Sequence, residues 1–433
     1  MNERHSNTLG SLTQRASSVV QKMIHRNRLL VFMLLLLSPV PSGVSAQSFT
    51  TLVTFDGSNG ANPVGSLVQG SDGNFYGTAW YGGSSTNCRD GCGTVFRMTP
   101  AGTLTTLVNF NQANGANPIG SLVQGTDGNF YGTTTGGGSS TNCGTFGCGT
   151  VFRMTLDGTL TTLASFDRAH GWNPATDLVQ GTDGNFYGTT DYGGSSTNCY
   201  SSGCGTAFRV TPDGTLTTLV NFDNANGEAP NGLVQGSDGD FYGTTFHGGS
   251  AACFAGFTGC GTVFRMTPSG SITTLFNFSD SDAAGYFPEA PLVEGSDGYF
   301  YGTTFQGGSS RDGTAFRITP NGTLTTLVDF DEQTRGADPF AGLVQGSDGN
   351  FYGTTARGGT TVRGGFGFGT VFQMTPAGVL TTLLAFNYAR GSALYGGVVQ
   401  GADGTFYGTT AGGGSARAGT IFRLGGVIPT PTL

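Results

Sequence analysis

Short runs of alternating apolar and polar residues, separated by glycine-rich turns, recur along most of the chain. The segment "LVQG" or a variant begins at Leu67, Leu122, Leu178, Leu233, Leu292, Leu343 and Val398, at spacings of 51 to 59 residues. Each copy leads into a version of "GSDGNFYGT", first seen at residues 70–78. One unit reads as four strands. Residues 67–69 form the first, and Asp72-Gly73 turns the chain into the second at 74–78, because that turn needs φ values that Asp and Gly tolerate. A longer connection, "AWYGGSSTNCRDGC", leads to a third strand at 93–99 ("GTVFRMT"). Pro100-Ala101-Gly102 then reverses the chain into a fourth at 103–110 ("TLTTLVNF"). No long pattern with helical period follows residue 47.

Seven units of this length suit the blades of a propeller. Adjacent large residues, Phe75 with Tyr76 and Val95 with Phe96, place bulk on both faces of each sheet, as expected where blades pack on two neighbours. Tyr76, Phe96, Phe110 and their counterparts are therefore expected in the core. The ends split one blade between them. Residues 48–55 ("SFTTLVTF") read as a fourth strand with no blade before it, and 419–424 ("GTIFRL") as a third strand with no fourth after it. The expected fold is an all-β, seven-bladed propeller over residues 47–424, closed by the N-terminal strand in the last blade. Residues 425–433 are left as a tail.

Composition agrees: there are 77 glycines and 33 phenylalanines, but only 11% charged residues. The first 46 residues have a different character. Basic residues (Arg4, Arg15, Lys22, Arg26, Arg28) precede an apolar run at 29–37, then Val44-Ser45-Ala46, the order of a secretory signal peptide. The apolar run is shorter than the roughly 20 residues a membrane span needs. Cleavage would remove five basic residues and Glu3, a net of +4, taking the charge from −8 to −12. Such an acidic remainder, without lysine, repels phosphate backbones, so nucleic acid and anionic membrane are not expected partners. A secreted or cell-surface location is expected, extracellular or periplasmic, with a monomer as the simplest state.

The tight turns fall on one face of the ring, and the long connections on the other. The variable long-loop face is the expected binding face. Four local cysteine pairs sit there, Cys88 with Cys92, Cys143 with Cys148, Cys199 with Cys204, and Cys253 with Cys260, and an exported chain is expected to join them as disulfides. The spacing varies and no His is nearby, so neither a metal nor any other cofactor is read from them. An Asp recurs in all seven hairpin turns and an Arg in six of seven third strands, which fits structure better than one asymmetric catalytic site. Two residues vary just before each Gly-Gly doublet: Trp80-Tyr81, Thr135-Gly136, Asp191-Tyr192, Phe246-His247, Phe305-Gln306, Ala356-Arg357 and Ala411-Gly412. The blade-to-blade loops add His170, Trp172, Tyr286, Arg335 and Tyr395. From these, Trp80, Tyr81, His170, Trp172, Asp191, Tyr192, Phe246, His247 and Arg357 are the candidate ligand contacts, set against ordinary loop packing. Asp191 and His247 offer an acid–base pair across adjacent blades, but no nucleophile or metalloprotease motif accompanies them, and no catalytic residue is assigned.

The strings "NGANPVGSLVQGSDGNFYGTAWYGG" and "GTVFRMTPAGTLTTLVNF" resemble the GloVer tandem repeat, named for Gloeobacter and Verrucomicrobia and found in bacterial choice-of-anchor proteins. The likeness spans residues 48–424, and the Gly-Gly doublet is also similar, more loosely, to kelch-type propellers. The resemblance implies an exported bacterial protein, surface-associated or released, and carries over no catalytic residues. The end, "GGVIPTPTL", has neither an apolar tail nor a basic cluster, which leaves the anchoring mode open. The functional expectation is a non-enzymatic protein binding a glycan, protein or surface component. A polysaccharide-active hydrolase or lyase with its site at the channel mouth is the first alternative, and a structural coat component the second.

Overall fold

The computed structural model describes residues 47–199, 202–251, 253–254, 259–280, 283–359 and 367–426. The expected signal peptide and residues 427–433 of the tail lie outside them. Strands β1–β28 form seven antiparallel four-stranded sheets. Blade 1 consists of β2 (Val68–Gln69), β3 (Phe75–Ala79), β4 (Thr94–Met98) and β5 (Leu104–Asn109), paired in that order. Blade 7 contains β26 (Val398–Gln400), β27 (Phe406–Thr410) and β28 (Thr420–Gly425), and its outer position is taken by β1 (Ser48–Thr54). Ser48 pairs with Gly425 and Thr54 with Thr420, so the N-terminal strand closes the ring as expected.

The hairpin motif packs and hydrogen-bonds at once. In blade 1 the Asp72 carboxylate accepts the backbone N–H of Asn74 (3.1 Å) and the hydroxyl of Tyr76 (2.8 Å). Arg97 stands directly opposite Tyr76 in the ladder. The Tyr–Asp bond recurs in all seven blades at 2.7 to 2.9 Å. Burial, together with the Asp72 bond, pushes the Tyr76 hydroxyl up to about 12. It therefore stays a neutral donor. The Asp of every turn thus builds its blade, as its sevenfold recurrence implied.

Each of these tyrosines also lies against the phenylalanine of the next blade: Tyr76 on Phe130 (4.1 Å between centroids), and so around to Tyr407 on Phe75 (4.1 Å). Phe75, Tyr76, Phe96 and Phe110 are all fully buried. A polar seam runs alongside. The Gln124 side chain accepts the Ser71 N–H of the preceding blade (2.8 Å), and Gln69 closes the circle by accepting from Ala402 (2.8 Å). Outside, a bulge at Leu107 interrupts the β4–β5 register, and a similar shift occurs in β1 between Thr51 and Val53. Bulges of this kind twist an exposed edge away from pairing with another chain.

All four expected disulfides are formed, each in the second-to-third loop of blades 1 to 4. The second cysteine of each pair is fully buried, at Cys92, Cys148, Cys204 and Cys260, and in blade 3 Cys199 is buried as well.

Two stability predictions follow. Tyr187→Phe should lower unfolding free energy by about 1 kcal/mol, the usual worth of one such bond, in urea titration. An unchanged midpoint would mean that the Asp183 contact contributes nothing. Cys199→Ser with Cys204→Ser should raise amide exchange in the loop at residues 191–205 while leaving the Phe186–Thr190 strand protected; uniform loss across the blade would contradict a purely local brace.

Candidate functional site at the channel mouth

The innermost strands are short and begin just after a Gly- and Pro-rich approach, which brings small side chains to the axis. The residue immediately before each "LV" faces its neighbour there. The Ser66 hydroxyl accepts the Gly397 N–H (2.8 Å), and Ser121 accepts from Ser66 (2.9 Å). In blade 3 this position is Asp177, whose carboxylate accepts the Ser121 N–H at 2.5 Å. The following blades carry Gly232, Pro291, Gly342 and Gly397, none with a side chain that can accept such a bond. Around the ring, this leaves a cavity of about 720 Å³ at the axis.

The lining of that cavity is uneven. Blades 3 to 5 contribute Asp177, Asp191, Asn231 and Glu289. Blades 6, 7 and 1 contribute Phe340, Tyr395 and Trp80, with Val64 beside them. Phe340 packs edge-on against Tyr395 (5.0 Å), making a continuous aromatic arc. Tyr395 is 41% exposed, so this arc is open to solvent.

Asp191 owes its place to strand alternation. It follows the Phe186–Thr190 strand and faces the cavity, whereas the backbone of its neighbour Tyr192 bridges to Trp172. Asn173, held at φ 60°, donates its amide to the Asp191 carboxylate (2.8 Å). The equivalent Asn117 donates to the Trp80 carbonyl instead (3.1 Å). Asp191 is half-buried, and the protein packed around it depletes its hydration. Burial, reinforced by the Glu289 charge, pushes Asp191 up to about 7. Burial also pushes Glu289 up to about 7 and raises Asp177. Near neutrality this cluster can both donate and accept protons. Among the described residues, no three His, Cys, Asp or Glu side chains are grouped closely enough to hold a metal ion.

The candidates from the sequence separate into two groups. Trp80 and Asp191 line the cavity. Tyr81 stacks on Trp80 (4.5 Å) and its backbone bridges to Ala61. Arg357 forms an ion pair with Asp338 (2.9 Å), and His170 meets Asp167 (2.7 Å). Trp172 and Tyr192 pack together at 5.0 Å away from the axis. Phe246 and His247 pack on Phe287, at 5.1 and 5.0 Å, and burial lowers the His247 pKa. Asp191 and His247 thus have different partners: Asn173 and Glu289 for the first, aromatic rings for the second.

Sequence reasoning passed over Asp177, Asn231, Glu289 and Phe340. Their signal was present in the residues just before each "LV", which read "VGS", "IGS", "ATD", "PNG", "EAP", "FAG" and "YGG". That stretch varies as much as the loop pair does.

The profile of the Gloeobacter/Verrucomicrobia repeat matches residues 42–199, 92–252 and 250–427. The chain belongs to this repeat family. No curated protein matches it significantly. Among solved structures it is similar to a streptogramin B lyase, with TM-score 0.56 and 15% identity over 88% of this chain and 97% of that one. Virginiamycin B lyase from Staphylococcus aureus is similar too, with TM-score 0.55, 15% identity, and 87% and 98% coverage. The extracellular domain of a hybrid two-component system from B. thetaiotaomicron gives TM-score 0.52 and 12% identity, covering 86% of this chain and 40% of that one. At these identities the likeness is one of fold.

Asp191 and Glu289 have native pKa values near 7 against about 4 when unfolded. The native state therefore holds protons that the unfolded chain releases. The associated stability is complete below about pH 4 and is lost as pH rises through about 7. The melting temperature should be higher at pH 5 than at pH 8, and Asp191→Asn with Glu289→Gln should flatten this difference. A wild-type profile rising from pH 5 to pH 8 would contradict the assignment.

Proposed function

We propose that this family member binds a polyhydroxylated ligand, a glycan or glycan fragment, at the mouth of the central channel. The observation that carries this reading is the two-sided lining of one cavity. Trp80, Phe340 and Tyr395 offer faces on which the apolar side of a sugar ring can stack, and Asp177, Asp191, Asn231 and Glu289 offer hydrogen-bonding groups for its hydroxyls. A cavity of about 720 Å³ suits a ligand of a few sugar units. The four disulfides fit an oxidising compartment, where such ligands are met outside the cell. Among the described residues no helix is long and apolar enough to cross a membrane.

A second reading, a polysaccharide-active lyase or hydrolase, draws on one specific feature. Two carboxylates titrating near 7 in one cavity are suited to general acid and base roles. One experiment tests both. The wild type and the Asp191→Asn, Glu289→Gln and Trp80→Ala variants are screened for binding to neutral oligosaccharides, with turnover followed in parallel. Binding weakened about tenfold by each variant is expected, the size of one lost hydrogen bond to a charged group or of one lost stacking contact. Binding that ignores all three changes would remove the channel mouth as the site. Turnover abolished by either carboxylate change would favour the enzyme.

A further inference from the structure

A second cleft lies on blade 3, off the axis. It is bounded by the loop at residues 167–171 and by residues 193–199 and 202–204, joined by the Cys199–Cys204 disulfide. Arg168, Gly193, Gly194, Ser196, Thr197, Ser202 and Gly203 line its volume of about 340 Å³. The backbone holds the two walls together: Gly194 donates its N–H to the Arg168 carbonyl (2.9 Å), and Gly193 to that of Ser202 (2.7 Å). The Trp172 indole N–H donates to the Ser202 carbonyl (3.3 Å). The cleft is thus a framed cavity between two braced loops.

What sets it apart is the guanidinium. Among the described residues, the Arg168 head group meets the Trp172 ring at 5.6 Å and takes no hydrogen-bonding or ionic partner. The nearest acid in sequence, Asp167, is engaged elsewhere, accepting the His170 N–H (2.8 Å) and facing its ring Nδ1 (2.7 Å). Blade 2 is the control built into the molecule. There the matching residue is Gln112, whose amide donates to the Thr145 and Phe146 carbonyls at 3.0 and 2.9 Å, so its donors are spent within the loop. The same position holds Gly57, Asn224, Asp280, Glu332 and Tyr388 in the other blades; only blade 3 offers a cation. In a chain of net charge −8, an unpaired guanidinium among hydroxyls is a local reversal of sign. Beside it, Tyr192, 37% exposed, packs against Trp172 to form an aromatic ledge.

We propose that this cleft is a subsite for an anionic sugar, its acid group held by Arg168 with Ser196 and Thr197, and its ring resting on Tyr192. The guanidinium fork matches the two oxygens of a carboxylate or sulfate, and its five donors are free to make that contact. The aromatic ledge supplies the apolar face that a pyranose ring needs. This inference does not depend on the channel reading, because the two sites share no lining residue.

The test is calorimetric titration of the full protein with three probes: a galacturonate oligomer, a sulfated galactan oligomer, and a neutral galactan oligomer. The expected result is binding of one or both acidic probes, weakened about tenfold or more in Arg168→Gln, which installs the blade 2 residue. Which acidic probe binds distinguishes carboxylate from sulfate as the source. Arg168→Lys should restore only part of the affinity, since a point charge lacks the fork. The loss caused by Arg168→Gln should be equally large in an Asp191→Asn background, separating it from the channel. Thermal unfolding of each variant checks that the blade is intact. The proposal is overturned if neither acidic probe binds the wild type, if Arg168→Gln binds them equally well, or if Arg168→Gln weakens binding of the neutral oligomer as much as that of the acidic ones.

Discussion

Everything in this molecule rests on one contact made seven times, a tyrosine ring laid on the phenylalanine of the next blade. The tyrosine belongs to both directions of the structure. Its hydroxyl is tied back to the aspartate of its own hairpin turn, which sets the ring's position, and its face is given to the neighbour. The distance from Tyr407 to Phe75 matches that from Tyr76 to Phe130, so the circle closes without a weak joint in this layer. Glutamine and glutamate side chains that accept a backbone N–H from the preceding blade's turn, such as Gln124 and Glu294, add direction to contacts that are otherwise apolar.

Regularity below makes irregularity above affordable. Because the turn face and core carry the packing, the residues approaching the axis are released from it, and blade 3 can hold an acid, Asp177, where other blades hold serine, glycine or proline. The cost is electrostatic: Asp177, Asp191 and Glu289 share one poorly hydrated space, and each has its pKa raised by burial. A structure that needed only a ring would gain nothing from such a cluster. Its presence fits the ligand site proposed above, in line with the tendency of perturbed carboxylates to gather at functional sites.

The fold was legible because period, turn chemistry and core pattern all agreed. Asp72-Gly73 marks a hairpin, Phe75 and Tyr76 fill two faces, and the half-blades at either end imply their own pairing, all of which are local facts. The cysteine pairs were legible for the same reason, each closing within one loop. The candidate site was legible only in part. Trp80 and Asp191 stood out because they break a repeat beside its strongest motif. Yet Tyr81 and Tyr192 lie outside the cavity lining, stacked on Trp80 and packed on Trp172 respectively, and the sequence spacing of Asp191 and Glu289, almost 100 residues, hides the fact that one cavity joins them. Convergence at an axis is a property of ring closure, which no single repeat contains. Phe340 and Asn231 lie in the approach to the first strand, outside the loop pair, and only ring closure brings that approach to the axis.

The closing blade has a further consequence, in the order of assembly. Its outer strand pairs Thr54 with Thr420, residues from opposite ends of the chain. During synthesis, six blades can assemble from neighbouring segments while this strand waits without a partner. Its final pairing is the contact of highest sequence separation and is therefore expected to form late. Until then, a bare edge of blade 7 and a free strand coexist, each complementary to the same elements on a second copy. The ring that hides its edges so thoroughly when finished is most open to exchange in the moment before it closes.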